Sequence, residues 1–515
     1  MSLPQRLRVV IVKPGKYDPM GFVERFRWGF MPNATVRYLA SLTPRSIEGT
    51  PCSVEAVDEY VQTDLDYLKL LEPEAGGRTL VALVGVQSHQ FHRALDLAAL
   101  AVSRGSLAVI GGPHPMTCDT TEAHGRGPSF ALSEAELVWE PILRDAIRGE
   151  LAPTYGGDRR WQARLDPPVV SPPPRRELQR YVVPLLGVYP ARGCPYSCNF
   201  CSVIKIAGHA VRSQPIATTM ATLRAAKAGG VRMVMFTSDN FNKYPEAAGL
   251  LEAMIQENLR IPFFVQCDAM IERQPELVAL LARAGCFQIF VGVESFSIEA
   301  LRGVHKLHNT PARYAEIVRL FREHRIGTHF SSIIGFPNDT AESVRDHVDT
   351  LRRLGPDVAS FHILTPVPGT EQYDEFRRNG WITETNLDRF DATTTTWRHP
   401  RLTSRRLSDL LFESYRRFYD AKHLARCAVN LGRSSADFRT RETVFAVAAA
   451  SVQARLAARR RTHPMAGGVL RVRRDRSSDY RALRRKTYGF DSAALPDNLP
   501  LSAADEQLNR SARLV

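Results

Sequence analysis

Long apolar runs are missing from this chain of 515 residues, and cysteine is sparse, at eight. Segments such as VVPLLGVYP and FAVAAASV are too short, or too soon interrupted, to cross a bilayer, which requires about 20 consecutive apolar residues. The opening MSLPQRLRVVIVKPGKY lacks the extended apolar stretch of a signal peptide. These absences predict a cytoplasmic protein with no transmembrane segment. So few cysteines in so long a chain argue against a disulfide scaffold; in a reducing compartment, clustered cysteines bind metal or do chemistry. Acidic residues are also in deficit: 54 Asp and Glu stand against 68 Lys and Arg, a net charge of +14. Basic residues thicken towards the end, in RLAARRRTH, VLRVRRDR and RALRRK. The excess permits a nucleic-acid or anionic-membrane partner without requiring one. No zinc-finger spacing, aromatic–basic RNA signature or recognition-helix motif accompanies it, so there is no strong nucleic-acid signal. A solvated face, or a surface for an anionic substrate, is the expected use of the charge.

What is present is an ordinary globular composition, 44% hydrophobic and 24% charged. The length suits roughly two to four domains. Residues 1–150 read as alternating strands and helices. LRVVIVKP, SVEAVDEY, TLVALVGVQ and SLAVIGG are strand candidates; NATVRYLASL, HRALDLAALAVSRG and SEAELVWEPILRDAIRG are helix candidates. This predicts a parallel, helix-covered, Rossmann-like sheet. A proline-rich linker is expected over 151–182, where DPPVVSPPPRRELQRY resists a continuous helix or central strand. Over 183–400, six strand candidates run from PLLGVYP to VASFHILTP with five helical regions between them, as in a partial (β/α)6 barrel. Residues 401–515 are expected to be mostly helical and basic, lying over the barrel or partly disordered. The fold class is therefore α/β.

The most informative local text is RGCPYSCNFCSVIKIAG, which places Cys194, Cys198 and Cys201 on one loop after the first barrel strand. Three thiolates can hold three irons of a cubic 4Fe–4S cluster and leave the fourth iron open. S-adenosylmethionine (SAM) can chelate an open iron through its amino and carboxylate groups, which holds the sulfonium where one electron can reach it. Structural zinc normally takes four protein ligands, and no fourth cysteine or histidine follows at short spacing. The other cysteines, Cys52, Cys118, Cys267, Cys286 and Cys427, are scattered and read as small buried hydrophobes.

On these residues the chain resembles radical-SAM enzymes that carry an N-terminal cobalamin-binding domain. The resemblance implies an aromatic residue packed near the cluster before the third cysteine, here Phe200. It implies SAM contacts from Asp239 and Asn240 in SDN, from Glu294 and Ser295 in GVES, and from Lys306 in GVHKLHN. In the first domain it implies cobalamin contacts from Gln87, Ser88, His89 and Gln90, and from the Gly-Gly-x-His element Gly111, Gly112 and His114. The Asp-x-His-x-x-Gly segment of methylcobalamin enzymes is not matched: KYDPMGF keeps Asp18 and Gly21 but has no histidine between them, so no protein histidine from this segment is expected on cobalt. The implied cofactors are a 4Fe–4S cluster, SAM and cobalamin. The implied partners are a small-molecule, lipid or carrier-bound substrate and an external one-electron reductant such as flavodoxin or ferredoxin. The implied reaction is methyl transfer from methylcobalamin to an unactivated carbon. A non-methylating ring formation, oxidation or rearrangement on the same architecture stays open, as does a noncatalytic cobalamin or redox-sensing protein. His305, His308, His329 and His362, with Gln266 and Cys267, read as packing or supporting groups, and Tyr189 and Phe241 as wall residues.

Overall fold

The structure is a computed structural model that describes residues 4–425, 441–464, 467–472, 480–489, 495–510 and 512. Cys427 and parts of the basic tail lie outside the described residues.

The first sheet grows from β1 (Leu7–Lys13), and β2 (Arg25–Gly29) leaves it. Then come β3 (Ser46–Ile47), β4 (Thr50–Asp58), β5 (Arg78–Leu83), β6 (Leu107–Gly111), β7 (Ser129–Ala131) and β8 (Thr154–Tyr155). The order is β3-β4-β1-β5-β6-β7-β8, with every pair parallel except β3–β4. Leu7, Val9, Val10 and Ile11 are fully buried, as expected of a strand covered on both faces. The sheet reaches five residues past the expected break at 150, because Thr154 and Tyr155 extend it beside Phe130 and Ala131. The turn after β6 explains one glycine. Gly112 has φ +138, and a Cβ there would lie 2.2 Å from the Val86 backbone nitrogen. The approach that glycine allows is thus first to the chain itself.

The proline-rich stretch forms only a short helix, Arg175–Leu178. It lies along the second unit, where the Val170 N–H donates to Thr222 Oγ1 at 3.1 Å.

The second sheet comprises β9 (Leu186–Val188), β12 (Val234–Phe236), β13 (Phe263–Cys267), β14 (Cys286–Glu294), β15 (Gly327–Ile334) and β16 (Val358–Ile363), with the small pair β10 (Ala191–Arg192) and β11 (Arg212–Ser213) placed between β9 and β12 in the chain. All six strands are parallel and stand in chain order, β9-β12-β13-β14-β15-β16, so each crossover helix lands beside its own strands. The result resembles a partial barrel, matching the expected strands and helices. Its last edge is covered by the helix Ser404–Phe418. Tyr415 and Tyr419 each accept from one backbone N–H of β16 (Phe361 at 3.0 Å, Ala359 at 2.9 Å) and donate back to the same residues' carbonyls. Two phenols thereby satisfy an edge that would otherwise be open to a further strand.

The C-terminal region is mainly helical: Ser404–Phe418 and Arg441–Arg459 lie against the barrel, and the described elements after them return to the first unit. β17 (Gly468–Val472) pairs antiparallel with β2. The helix Tyr480–Tyr488 stacks Tyr480 on Tyr17 at 4.7 Å between ring centroids. Arg484, fully buried, lies 3.6 Å from Asp96. In the helix Ala503–Arg510, Asp505 accepts from the Arg160 N–H at 3.0 Å. Part of the basic surplus is thus paired within the chain: Arg471 meets the buried Glu24 at 2.7 Å, and Arg461 meets Asp409 at the surface at 2.8 Å. Among the described residues no helix is long and apolar enough to cross a membrane.

Candidate functional site

Strand β9 ends at Val188, and the β10–β11 pair closes the cysteine loop at its base by pairing Arg192 with Arg212. Three contacts hold the loop between them. Asp239, at the end of β12, accepts from the Gly193 N–H at 2.8 Å. The Cys194 N–H donates to Gly208 at 3.1 Å. The Asn199 N–H donates to the Val304 carbonyl at 3.2 Å, which ties the loop to the exit of β14. Cys201 turns back on Cys198 through an N–H to carbonyl bond of 3.1 Å.

Burial raises all three thiols; Cys198 is pushed up to about 11 and Cys201 to about 12. For Cys198 and Cys201 the negative charge of the neighbouring sulfurs adds to the rise, while Lys306 opposes it. The sulfurs are therefore close enough to act on one another. Among the described residues no group of three or more His, Cys, Asp or Glu side chains converges in ready-made metal-binding geometry. The donor set nonetheless fits an iron–sulfur cluster: it is three thiols and nothing harder, half-buried to buried, with a cation beside them.

Glu294 and Lys306, both expected at the site, meet there. Lys306 Nζ donates to Glu294 Oε1 at 2.8 Å, and its ammonium lies 5.8 Å from the centre of the Phe200 ring. Burial works against the Lys306 charge, but Glu294 and the sulfurs of Cys198 and Cys201 outweigh it and leave its pKa raised. Gly292 makes room for the pair, since a Cβ there would sit 2.5 Å from Glu294 Oε1 and 2.8 Å from Lys306 Nζ. Glu294 itself has φ +59, at an irregularity in the β14–β15 register. Asn309 and Tyr314 bond the Val293 carbonyl, both at 2.9 Å, and hold this left-handed residue in place. Ser295 accepts from the Ser297 N–H at 3.1 Å and so shapes the same turn.

Removing one member of a buried ion pair strands the other charge. Glu294→Ala should cost about 3–5 kcal/mol of unfolding free energy, and Glu294→Ala with Lys306→Met should recover most of it. Denaturant unfolding of the cluster-free chain measures both; equal losses in the single and double variants would refute the coupling.

Sequence reasoning missed Asp268, the residue after Cys267. Its carboxylate accepts from Asn240 at 2.8 Å, Asn242 at 3.0 Å and the Met270 N–H at 2.7 Å. Asn240 Nδ2 also points at Cys194 Sγ, 3.9 Å away. Tyr196, inside the cysteine loop, stacks on His308 at 3.6 Å and donates to Met270 Sδ at 3.2 Å. A position just past a barrel strand was the available signal for Asp268. Gln266 and Cys267 precede it: Cys267 is packed in the core and Gln266 faces the barrel interior. Tyr189 does line a cavity wall, whereas Phe241 is packed in the core.

A cavity of about 250 Å³ lies at the C-terminal ends of β5, β6 and β7. Gly85, Gly111, Gly112 and Trp139 form its first-sheet side, and Arg192, Ala207 and Asp239 its barrel side. A buried ladder clamps the two sides together: Arg192 meets Glu134 at 3.1 Å and Glu136 at 2.7 Å, and Arg212 meets Glu134 at 2.8 Å. Tyr38 donates to Glu136 across it. Of the cobalamin candidates, Gly111 and Gly112 line the cavity; Gln87 to Gln90 and His114 do not. His114 is buried, with Nδ1 3.0 Å from Ser88 Oγ and its ring 4.1 Å from that of Phe91. Gln90 is consumed by Lys13 at 2.7 Å and the Pro14 carbonyl at 2.9 Å. His89 sits among Lys16, Asp391 and Lys13, and burial lowers it to about 3. Asp18 accepts from the N–H groups of Met20 and Phe22, which closes a turn.

Residues 188–351 match the Radical SAM superfamily. The chain therefore contains a radical-SAM catalytic domain and is an enzyme, which sets aside the noncatalytic sensor. It is 27% identical over 300 residues to bacteriochlorophyllide d C-12(1)-methyltransferase of Chlorobaculum tepidum. That stretch covers 57% of this chain and 64% of that protein, so the chain spans less than two thirds of this relative's length. Among solved structures, the radical SAM methyltransferase TsrM of Kitasatospora setae, with cobalamin and a 4Fe–4S cluster bound, aligns at TM-score 0.55 and 19% identity, covering 73% of this chain and 78% of that one. The cobalamin-dependent SAM radical enzyme OxsB, with aqua-cobalamin and SAM bound, aligns at TM-score 0.55 and 15% identity, covering 88% of this chain and 72% of that one. These likenesses establish a common fold with cobalamin-associated radical-SAM enzymes.

Proposed function

We propose that this enzyme is a cobalamin-dependent radical-SAM methyltransferase acting on an unactivated carbon. One observation carries the reading: Asp239 and Arg192, which brace the cysteine loop, are also the barrel-side wall of the cavity at the edge of the first sheet. A site for an iron–sulfur cluster and a site for a second, large cofactor would then share a wall, as methyl transfer to a substrate radical demands. The kinship in sequence with a methyltransferase and in fold with cobalamin-bound enzymes supports it.

In this reading Cys194, Cys198 and Cys201 ligate the cluster, and Phe200 covers it. Bound cluster and SAM would supply a carbon-centred radical, and bound cobalamin a methyl group. Lys306 places a positive charge beside the sulfurs. Glu294 and Ser295 offer polar contacts at the barrel mouth, next to Asn240 and Asp268. One Asp239 oxygen holds the Gly193 N–H; the other is available to an amino group. Gly111 and Gly112 keep the cavity wall free of side chains, while Ser88, His89, Gln90 and His114 hold the neighbouring turn in shape. Cobalt takes no histidine from the Asp18–Gly21 segment.

The test is product analysis with anaerobically reconstituted enzyme, a one-electron reductant, a small-molecule extract and SAM labelled on its methyl group. 5′-Deoxyadenosine, S-adenosylhomocysteine and a label-bearing product are expected together. 5′-Deoxyadenosine accompanied only by unlabelled product would reject methyl transfer in favour of another radical outcome.

A further inference from the structure

A second enclosed space, of about 280 Å³, occupies the barrel interior towards the N-terminal ends of its strands. Helix Arg441–Arg459 and residues Phe30 and Met31 from beside β2 complete its wall. Among the described residues no Asp, Glu, Lys or Arg lines it. Phe264, Phe287, Phe290 and Met235 are among the residues that line it. Tyr415 and Tyr419 present only their rings, because their hydroxyls are committed to β16.

The lining is not uniformly apolar. Gln266, Gln288 and Gln453 border the space, and none of these amides is hydrogen-bonded within the described residues. His329 sits between Ser360 Oγ, 3.1 Å from Nε2, and the edge of Phe290. Burial lowers His329 to about 3, so it too is neutral. Half-buried amides bordering a largely apolar space offer donors and acceptors that a polar group of a ligand can bond. The cysteine end lies farther along the same strands. Gln266 stands two residues before Asp268 on the same inner face, and Phe290 stands four before Glu294. At about 3.3 Å per residue these are separations of roughly 7 and 13 Å.

We propose that this chamber receives an uncharged, largely apolar part of the substrate, a ring system or branched hydrocarbon bearing carbonyl or hydroxyl groups, which the amides of Gln266, Gln288 and Gln453 hold so that its far end reaches the cysteine side of the barrel. The inference rests on the radical-SAM reading above and narrows its substrate class. A charged moiety would have to lose its water with no countercharge. The anionic substrate that the net charge suggests is therefore not what this chamber is built for.

Full-length, cluster-reconstituted enzyme should bind 1-naphthol saturably and 1-naphthoate at least ~tenfold more weakly by calorimetry. Ala454, on the helix that closes the chamber, offers a plug: Ala454→Phe should weaken 1-naphthol by ~tenfold or more, with iron content as the check on folding. If that variant does not fold, Gln266→Leu decides, and should weaken 1-naphthol by ~threefold or more while naphthalene binds at least as well. Absent 1-naphthol binding, equal affinity for 1-naphthoate, or indifference to the deciding variant would overturn the proposal. SAM cleavage by the unmodified enzyme is read separately. Cleavage without naphthol binding sinks the chamber alone; naphthol binding without cleavage sinks the radical reading alone.

Discussion

Cys198→Ala should lower 5′-deoxyadenosine formation by ~10³-fold or more, since the catalysed step depends on the whole metal centre. The loop has no substitute ligand. Of the other described cysteines, Cys118, Cys267 and Cys286 are buried on separate elements and Cys52 lies in β4. If the three thiols hold the cluster as proposed, the variant would leave only two sulfurs to hold it. Cys194→Ala and Cys201→Ala should behave alike, because each is the single donor at its position. Cys118→Ala is the matched control and should keep full iron. The measurements are iron and sulfide content after anaerobic reconstitution, then 5′-deoxyadenosine by chromatography. A Cys198→Ala enzyme with the full complement of iron and SAM cleavage within ~tenfold of the parent would disprove the ligand assignment.

Ala135→Trp should lower cobalt retention by ~tenfold or more and leave iron content unchanged. Ala135 opens the helix Ala135–Arg148 and faces the cavity between the two sheets while remaining half-buried. An indole there occupies space rather than displacing core atoms, so the folding cost should stay at or below the ~1–3 kcal/mol of an overpacked core. The contrast between metals is the informative part. The cavity wall and the cysteine loop share Asp239 and Arg192, but the thiols do not line the cavity. Cobalt and iron analysis on the same sample separates the two sites. Equal cobalt in variant and parent would place cobalamin elsewhere. A parent that holds iron but never cobalt would remove cobalamin from the mechanism.

The sequence by itself determined whatever depends on neighbours along the chain. Cysteine spacing placed three sulfurs on one short loop, and the proposed ligand set rests on that placement. The strands of both sheets were legible because central parallel strands are buried on both faces and show as unbroken apolar runs, LRVVIVK and TLVAL among them. Helices such as Ala341–Leu354 announce themselves by a capping box at Thr340 and Ser343 and a left-handed Gly355. Glu294 and Lys306 were both named through the resemblance carried by GVES and GVHKLHN, although Lys306 lies beyond the helix Ile298–Gly303.

Tertiary structure alone decided how polar groups far apart in the chain are spent. Ser88, Gln90 and His114 were expected to face a cofactor, and all three are absorbed inside the first unit, because their partners come from separate turns of the sheet. Asp268 gained its importance from Asn240 and Asn242, one strand away. The basic tail, which suggested an external anion, partly neutralises acids far earlier in the chain, as Arg471 does Glu24. The apolar chamber needed five of the six barrel strands, the residues beside β2 and a C-terminal helix at once. Burial and charge pairing are properties of assembled surfaces. A local pattern states which residues can be buried or paired, and only the fold fixes with what.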